Sequence, residues 1–122
     1  MGDWRAANTF RRACELNQPV VVATPPKHPG ERRRFSLLRL EPDNLVLAGL
    51  KRAEDSADWI VRFYETHGRR TDAALTVLSP FRAAWEVDLL EDKAGPELEI
   101  HSGNSLSIPV KPYEIKTVRL RR

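Results

Sequence analysis

The stretch WIVRFYETHG, residues 59–68, decides the fold class of this sequence. Trp59, Val61 and Phe63 are separated by single residues, and side chains two positions apart lie on the same face of a β-strand. Gly68 follows directly and suits a turn that requires a positive φ. The stretch therefore predicts one strand with an apolar face, ending in a tight turn.

The rest of the chain repeats this pattern, because short apolar runs alternate with turns rich in Pro, Gly, Asn and Asp. Regular short strands of this kind favour an antiparallel sandwich or barrel. We therefore predict an all-β fold, an antiparallel β-sandwich preceded by one N-terminal α-helix. The predicted strands cover residues 20–23, 35–40, 45–50, 59–65, 73–78, 83–89, 98–101, 106–110 and 115–120.

Alternation within the strands also predicts the core. Glu86 and Asp88 occupy the second face of their strand, which is expected to be wet or turned toward another domain. The last strand has apolar residues in both phases, so it contains a bulge or is buried on both faces. The central core candidates are Trp59, Val61, Phe63, Ala83, Trp85, Val87 and Leu89.

The N-terminal segment predicts a helix that begins after an Asp3 cap and ends near Asn17. We divide the chain into this helix and lead-in, residues 1–18, and the sandwich, residues 19–122. A buried thiol at the single cysteine is expected, and it fits a reducing, cytoplasmic location. One face of the helix carries Trp4, Ala7, Phe10 and Cys14.

Composition excludes several classes of protein. The 122 residues are 41% apolar and 30% charged, which indicates one folded domain and not a disordered chain. Neither a secretory signal nor an apolar run long enough for a membrane span is visible. The net charge is only +3, and the basic residues are concentrated at 32–34 and 119–122. A nucleic-acid-binding domain is the less favoured alternative, and it would need these two segments to form one continuous patch. We expect neither nucleic acid nor membrane as a partner.

No residues with the spacing of a reactive site are present. The histidines are isolated in sequence, which predicts no metal site, and no glycine-rich nucleotide motif occurs. Glu54 with Asp55, and Glu91 with Asp92, are adjacent in turns, whereas glycoside hydrolysis needs carboxylates on opposite sides of the scissile bond. We therefore predict no catalytic, cofactor-binding or metal-binding residue in this chain.

Four segments follow one another along the chain: KRAED at 51–55, VRFYETHG at 61–68, EVDLLE at 86–91 and PYEIKT at 112–117. In this order they resemble the C-terminal region of glycoside hydrolase family 38, the α-mannosidases, and LNQPV at 16–20 resembles the approach to this region. The resemblance implies a β-sandwich. It also implies that the nucleophile and the zinc ligands belong to an upstream α/β domain, and no segment here is similar to that domain. Zinc is thus expected as a cofactor of the upstream domain alone.

The resemblance implies a non-catalytic accessory domain, part of a hydrolase of terminal α-mannosides but without a self-contained active site. Its expected partner is the upstream catalytic domain, with mannoside bound only through the full enzyme, and assembly into a homo-oligomer is allowed. The alternative is an independent carbohydrate-binding module, which would need exposed Trp59 and Trp85 rings. Our candidates for structural or interdomain contacts are Arg62, Glu65, Glu91 and Glu114.

Overall fold

A computed structural model of the chain describes residues 2–18, 20–24, 26–27, 29–30 and 34–122. It divides into two compact units, residues 1–35 and residues 36–122. Within the described residues, no helix is long and apolar enough to cross a membrane.

The second unit is a β-sandwich of two antiparallel sheets. Its strands are β1 Leu38–Glu41, β2 Leu45–Arg52, β3 Trp59–Glu65, β4 Thr71–Val77, β5 Ala83–Val87, β6 Lys93–Glu97, β7 Ile100–His101, β8 Ser105–Val110 and β9 Ile115–Arg121. One sheet has four strands in the order β1-β4-β8-β7, and the other has five in the order β2-β3-β9-β5-β6. This confirms the predicted all-β sandwich preceded by one helix.

The core takes one face of each sheet, because alternate side chains of the strands are apolar. Phe63 of β3 and Ile108 of β8 are completely buried, and burying a side chain of this size contributes about 2 to 3 kcal/mol. The predicted core residues of β3 are confirmed, with Trp59 packed at the margin. The main core cluster contains Leu45, Val61, Phe63, Ala73, Leu75, Val77, Phe81, Ala84, Leu106, Ile108, Val110, Val118 and Leu120.

The predicted phase of β5 was wrong. Ala84 pairs with the core residue Leu120, whereas Trp85 pairs with Arg119 and therefore lies on the outer face of the five-stranded sheet. Trp85 is nevertheless buried, and the guanidinium of Arg121 lies 4.8 Å from the centroid of its ring. Both faces of this strand are covered, so apolar character alone does not identify the core side.

The other residues that we predicted on the same core face also lie elsewhere. Val87 is buried on the outer face together with Trp85, and Ala83 is only half-buried. Leu89 lies beyond the end of β5 and is exposed, so its prediction as a core residue was wrong.

The last strand, β9, is buried on both faces. Thr117 lies on the outer face and Val118 on the core face, and both are buried. The register between β9 and β3 is continuous over six residue pairs. Of the two predicted explanations, burial on both faces is therefore correct for this strand.

Two strand predictions failed. Residues 20–23 belong to neither sheet, and Val20, Val21 and Val22 are highly exposed, because β propensity without a neighbouring strand does not form a ladder. Conversely, β6 was not predicted, since its sequence KAGPE contains Gly and Pro. It forms the edge of its sheet, where both residues are tolerated.

The N-terminal unit contains the helix α1, Thr9–Asn17, which begins later than predicted. Asp3 does cap backbone N–H groups, but they are those of Arg5 and Ala6 in the preceding turn, each at 3.0 Å from its Oδ1. Asn8 has a positive φ of 53° and separates this turn from α1. Cys14 is half-buried, so the predicted buried thiol was wrong.

Candidate functional site

The most highly connected polar group in the sandwich is the carboxylate of Glu65, at the end of β3. It accepts five N–H donors, from the side chain of Asn44 and from four backbone amides. Three of these amides belong to residues 67–69 in the following turn, and the fourth belongs to Tyr113. The carboxylate thereby fixes the turn after β3 to the approach of β9.

The environment of Glu65 favours its ionised form. Burial is the largest single effect and raises the pKa of the carboxyl, but the hydrogen bonds from Asn44, Tyr113 and the turn amides outweigh it. The net result lowers the pKa of Glu65 from 4.5 to about 2. A buried carboxylate held in this state is a structural anion and not a proton donor near neutral pH.

A second polar group lies at the turn between β2 and β3. The Lys51 Nζ contacts Glu91 Oε1 at 2.5 Å and Glu54 Oε1 at 3.3 Å. Glu91 Oε2 also accepts the backbone N–H of Glu54 at 3.2 Å. The hydrogen bond from Lys51 lowers the pKa of the Glu91 carboxyl, and the same bond raises the pKa of Lys51. Glu91 thus links the loop after β5 to the loop after β2.

Arg119 of β9 fixes the loop between β2 and β3. Its Nε donates to Asp58 Oδ2 at 2.8 Å, and one terminal nitrogen lies 2.8 Å from Asp55 Oδ1. The Arg119 and Asp58 side chains are nearly buried, whereas Asp55 is exposed. Hydrogen bonding to Asp58 is the main effect that raises the pKa of Arg119, so this guanidinium remains charged.

The four residues predicted as structural or interdomain contacts lie in different places. Arg62 donates from Nε to Thr117 Oγ1 at 3.0 Å, so Arg62 and Glu65 bond elsewhere and not to each other, as their opposite faces predict. The backbone N–H of Glu65 donates to the carbonyl of Glu114 at 3.1 Å, which brings these two together. Glu91 lies apart, in the Lys51 group.

Glu114 also lines an open cleft of about 320 Å³ between the end of β5 and the start of β9. Lys116 projects into it and contacts Glu86 at 2.9 Å and Glu114 at 3.4 Å. Burial, the largest effect on both groups, lowers the pKa of Lys116 and raises that of Glu114, but the ion pairs and hydrogen bonds reverse both directions. The remaining lining consists of Val87, Asp88, Leu89, Ile115 and Thr117.

Apolar side chains are exposed beside this cleft. Leu89 and Leu90 are 68% and 82% exposed at the tip of the β5–β6 connection, and Ile115 is 59% exposed at the start of β9. None of the three was predicted to be exposed, and Leu89 was assigned to the core. The available signal was the Leu-Leu pair between Asp88 and Glu91, because two leucines flanked by acids in a turn do not fit a core strand.

Among the residues that the structure describes, no group of three or more His, Cys, Asp and Glu side chains could hold a metal ion. His28 lies outside the described residues. Glu54 and Glu91 do approach a common partner, but that partner is Lys51, whose ammonium compensates both carboxylates. This arrangement joins two loops.

A carbohydrate-binding module would require exposed Trp59 and Trp85 rings, and a nucleic-acid-binding domain would require free arginines. Both rings and the Arg119 side chain contact other residues of the chain. Trp85 is buried, and the half-buried Trp59 ring has the Arg122 guanidinium 5.6 Å from its centroid. These rings do not form an exposed row for sugar stacking. At the C-terminal end, Arg119 is committed to its acidic partners. Arg32 and Arg33, needed for a continuous basic patch, lie outside the described residues.

Comparison with known proteins identifies the family. Residues 44–118, more than half of the chain, match the family described as "Glycosyl hydrolases family 38 C-terminal beta sandwich domain". A search of curated proteins gives no match. The matched region contains the Glu65, Lys51 and Lys116 groups and all four motif segments between 51 and 117. The chain therefore belongs to the family of glycoside hydrolase family 38 C-terminal β-sandwich domains.

Proposed function

We propose that this sandwich is a non-catalytic accessory domain of an α-mannosidase, which packs against the catalytic domain and stabilises it. The observation that carries the proposal is that the polar residues of the four motif segments form hydrogen bonds within the sandwich. Glu65 and Glu91 bond to distant loops of the same sandwich, and Arg62 joins β3 to β9. These contacts hold the strands and loops of the sandwich together.

The substrate of the whole enzyme is then a terminal α-mannoside, hydrolysed in the catalytic domain with a zinc ion held there. This sandwich contributes stability and assembly, and it shapes the edge of the cleft through its loops. A cytoplasmic location belongs to the same proposal, and the support for it is the single cysteine, which has no partner for an internal disulfide. Self-association into a homo-oligomer is compatible with this role.

Thermal inactivation of the catalytic domain tests the proposal. The catalytic portion of the parent α-mannosidase would be heated alone, with this chain, and with an equal concentration of an unrelated β-sandwich. Binding to the native state only increases its stability by mass action, so this chain is expected to prolong the half-life of activity. An equal half-life in all three samples, at concentrations up to about 100 μM, would contradict the proposal.

A further inference from the structure

The cleft beside Lys116 lies where two neighbouring strands separate. The ladder between β5 and β9 ends at the pair Glu86 and Val118, although β9 begins at Ile115 and β5 continues to Val87. The cleft occupies the space between these two segments, which do not pair with each other although Ile115 and its neighbours in β9 still pair with β3. An extended surface segment of another domain has room to approach there.

The cleft combines exposed aliphatic side chains with negative charge. Leu89 and Ile115 supply apolar walls that the sandwich does not bury. The charged lining residues are three carboxylates, Glu86, Asp88 and Glu114, and one ammonium, Lys116, so the formal charge of the lining is −2. The sandwich, residues 36–122, has 13 Lys and Arg against 14 Asp and Glu and is therefore −1 overall, so its residues outside the cleft carry a net +1 and its negative charge is concentrated in the cleft.

Hydrogen bonds within the sandwich itself hold the backbone on both sides of the cleft, before any other domain binds there. Asp88 Oδ1 accepts the N–H groups of Leu90 at 2.8 Å and Asp92 at 3.0 Å, which closes the turn that presents the leucines. On the other side, Glu114 Oε2 accepts the N–H of Lys111 at 2.7 Å. Binding to a surface already held in place loses less conformational entropy than ordering a loose loop.

We propose that this cleft receives a surface segment of the family 38 catalytic domain in which an aliphatic side chain stands beside a Lys or Arg. The aliphatic side chain packs between Leu89 and Ile115, and the cation approaches Glu86 and Glu114. This inference rests on the proposed function and assigns its contact surface. A symmetric contact with a second copy is disfavoured, because it would place two negative clefts against each other.

Binding measurements with matched variants test the assignment. The probe is the isolated catalytic portion of the parent α-mannosidase, titrated with the 122-residue chain as wild type, Leu89→Lys and Leu78→Lys. Leu78 is 46% exposed after β4 and does not line the cleft, so it controls for replacing an exposed leucine by lysine. Leu89→Lys is expected to weaken binding about tenfold or more, and Leu78→Lys by less than about twofold. Unchanged thermal unfolding of each variant ensures that folding is not the cause.

Salt dependence supplies a second readout, since attraction between a cation and the acidic cleft weakens with ionic strength. The wild-type affinity is expected to fall as salt rises. Binding that is equal for wild type and Leu89→Lys would overturn the surface assignment while leaving the proposed function intact. Absence of wild-type binding would contradict both the surface assignment and the proposed function. Concentration-dependent self-association that Leu89→Lys abolishes would show that a second copy is the occupant, and would also overturn the assignment.

Discussion

The carboxylate of Glu65 accepts the backbone N–H of Tyr113 at 3.1 Å, although 48 positions separate the two residues in sequence. The same carboxylate closes the turn at 67–69, so one buried anion joins the end of β3 to the start of β9. Both strands belong to the five-stranded sheet that carries the cleft. The Glu65 carboxylate therefore helps to set the position of Ile115, which lines the cleft two residues after Tyr113.

Replacing this carboxylate by an amide, Glu65→Gln, is expected to lower the free energy of unfolding by about 2 to 4 kcal/mol. Gln presents an NH₂ group where the carboxylate accepts N–H bonds, so buried donors lose their acceptor. Urea unfolding followed by tryptophan fluorescence measures the change. The exposed Glu99→Gln is the control and is expected to unfold as the wild type does. Equal stability of the two variants would contradict the structural role of Glu65.

The low pKa of Glu65 predicts a dependence on pH. Its pKa is about 2 in the folded state against 4.5 ordinarily, so the carboxylate stabilises the fold fully above about pH 4.5. This contribution, about 3 kcal/mol, is lost as the pH falls from about 4.5 to about 2. Unfolding measured across this range should therefore show a shrinking difference between wild type and Glu65→Gln. A difference that stays constant down to pH 2 would contradict the assigned ionisation.

The two acidic partners of Arg119 provide a matched pair. Asp58 has a side chain only 9% exposed, whereas that of Asp55 is 69% exposed. Asp58→Asn leaves a nearly buried guanidinium with incomplete charge compensation and should cost about 3 kcal/mol of stability. Asp55→Asn removes a solvated partner and should cost much less. Chemical denaturation of both variants gives the comparison, and a larger loss for Asp55→Asn would contradict it.

Gly68 and Gly103 separate backbone strain from steric contact. Both have positive φ, 73° and 74°, so alanine is expected to cost about 1 kcal/mol at either position. A Cβ at Gly68 would also lie 2.5 Å from Tyr113 Oη, whereas at Gly103 the nearest atom is 4.0 Å away. Gly68→Ala should thus destabilise the sandwich more than Gly103→Ala.

The additional cost at Gly68 should disappear when the ring is removed. In a double-mutant cycle, Gly68→Ala is expected to be less destabilising in a Tyr113→Ala background than in the wild type. Thermal unfolding of the four proteins measures this coupling. Additive effects would show that the Tyr113 ring does not restrict the turn.

Sequence periodicity was sufficient for the strands whose two faces differ in polarity. In β3, Val61 and Phe63 alternate with the half-buried Arg62 and Tyr64, and the core side followed from this pattern although Ile60 is buried on the other face. In β5, Trp85 and Ala84 are both buried, Trp85 beside Arg121 and Ala84 in the core. The alternation of residues therefore did not indicate which face of this strand lies in the core. Tertiary contact decided the phase of that strand.

The polar groups were only partly predictable for a related reason. Glu65 stood out through its place before the His-Gly turn, but its distant donors Asn44 and Tyr113 depend on how β2 and β9 approach β3. The cleft required still more of the fold, because it forms where the β5–β9 ladder ends. Of the residues around the cleft, only Leu89 and Leu90 could be recognised from their neighbours in the sequence, because acidic residues flank the pair.

The most direct test of the central claim is hydrolysis of an aryl α-mannoside in the presence of zinc, by this chain alone, by the catalytic portion of its parent enzyme, and by the two together. We expect no turnover from the chain alone, and activity from the catalytic portion that lasts longer when the chain is added. Turnover by the isolated chain that persists through repeated purification would contradict the account, because it requires a catalytic site within this sandwich.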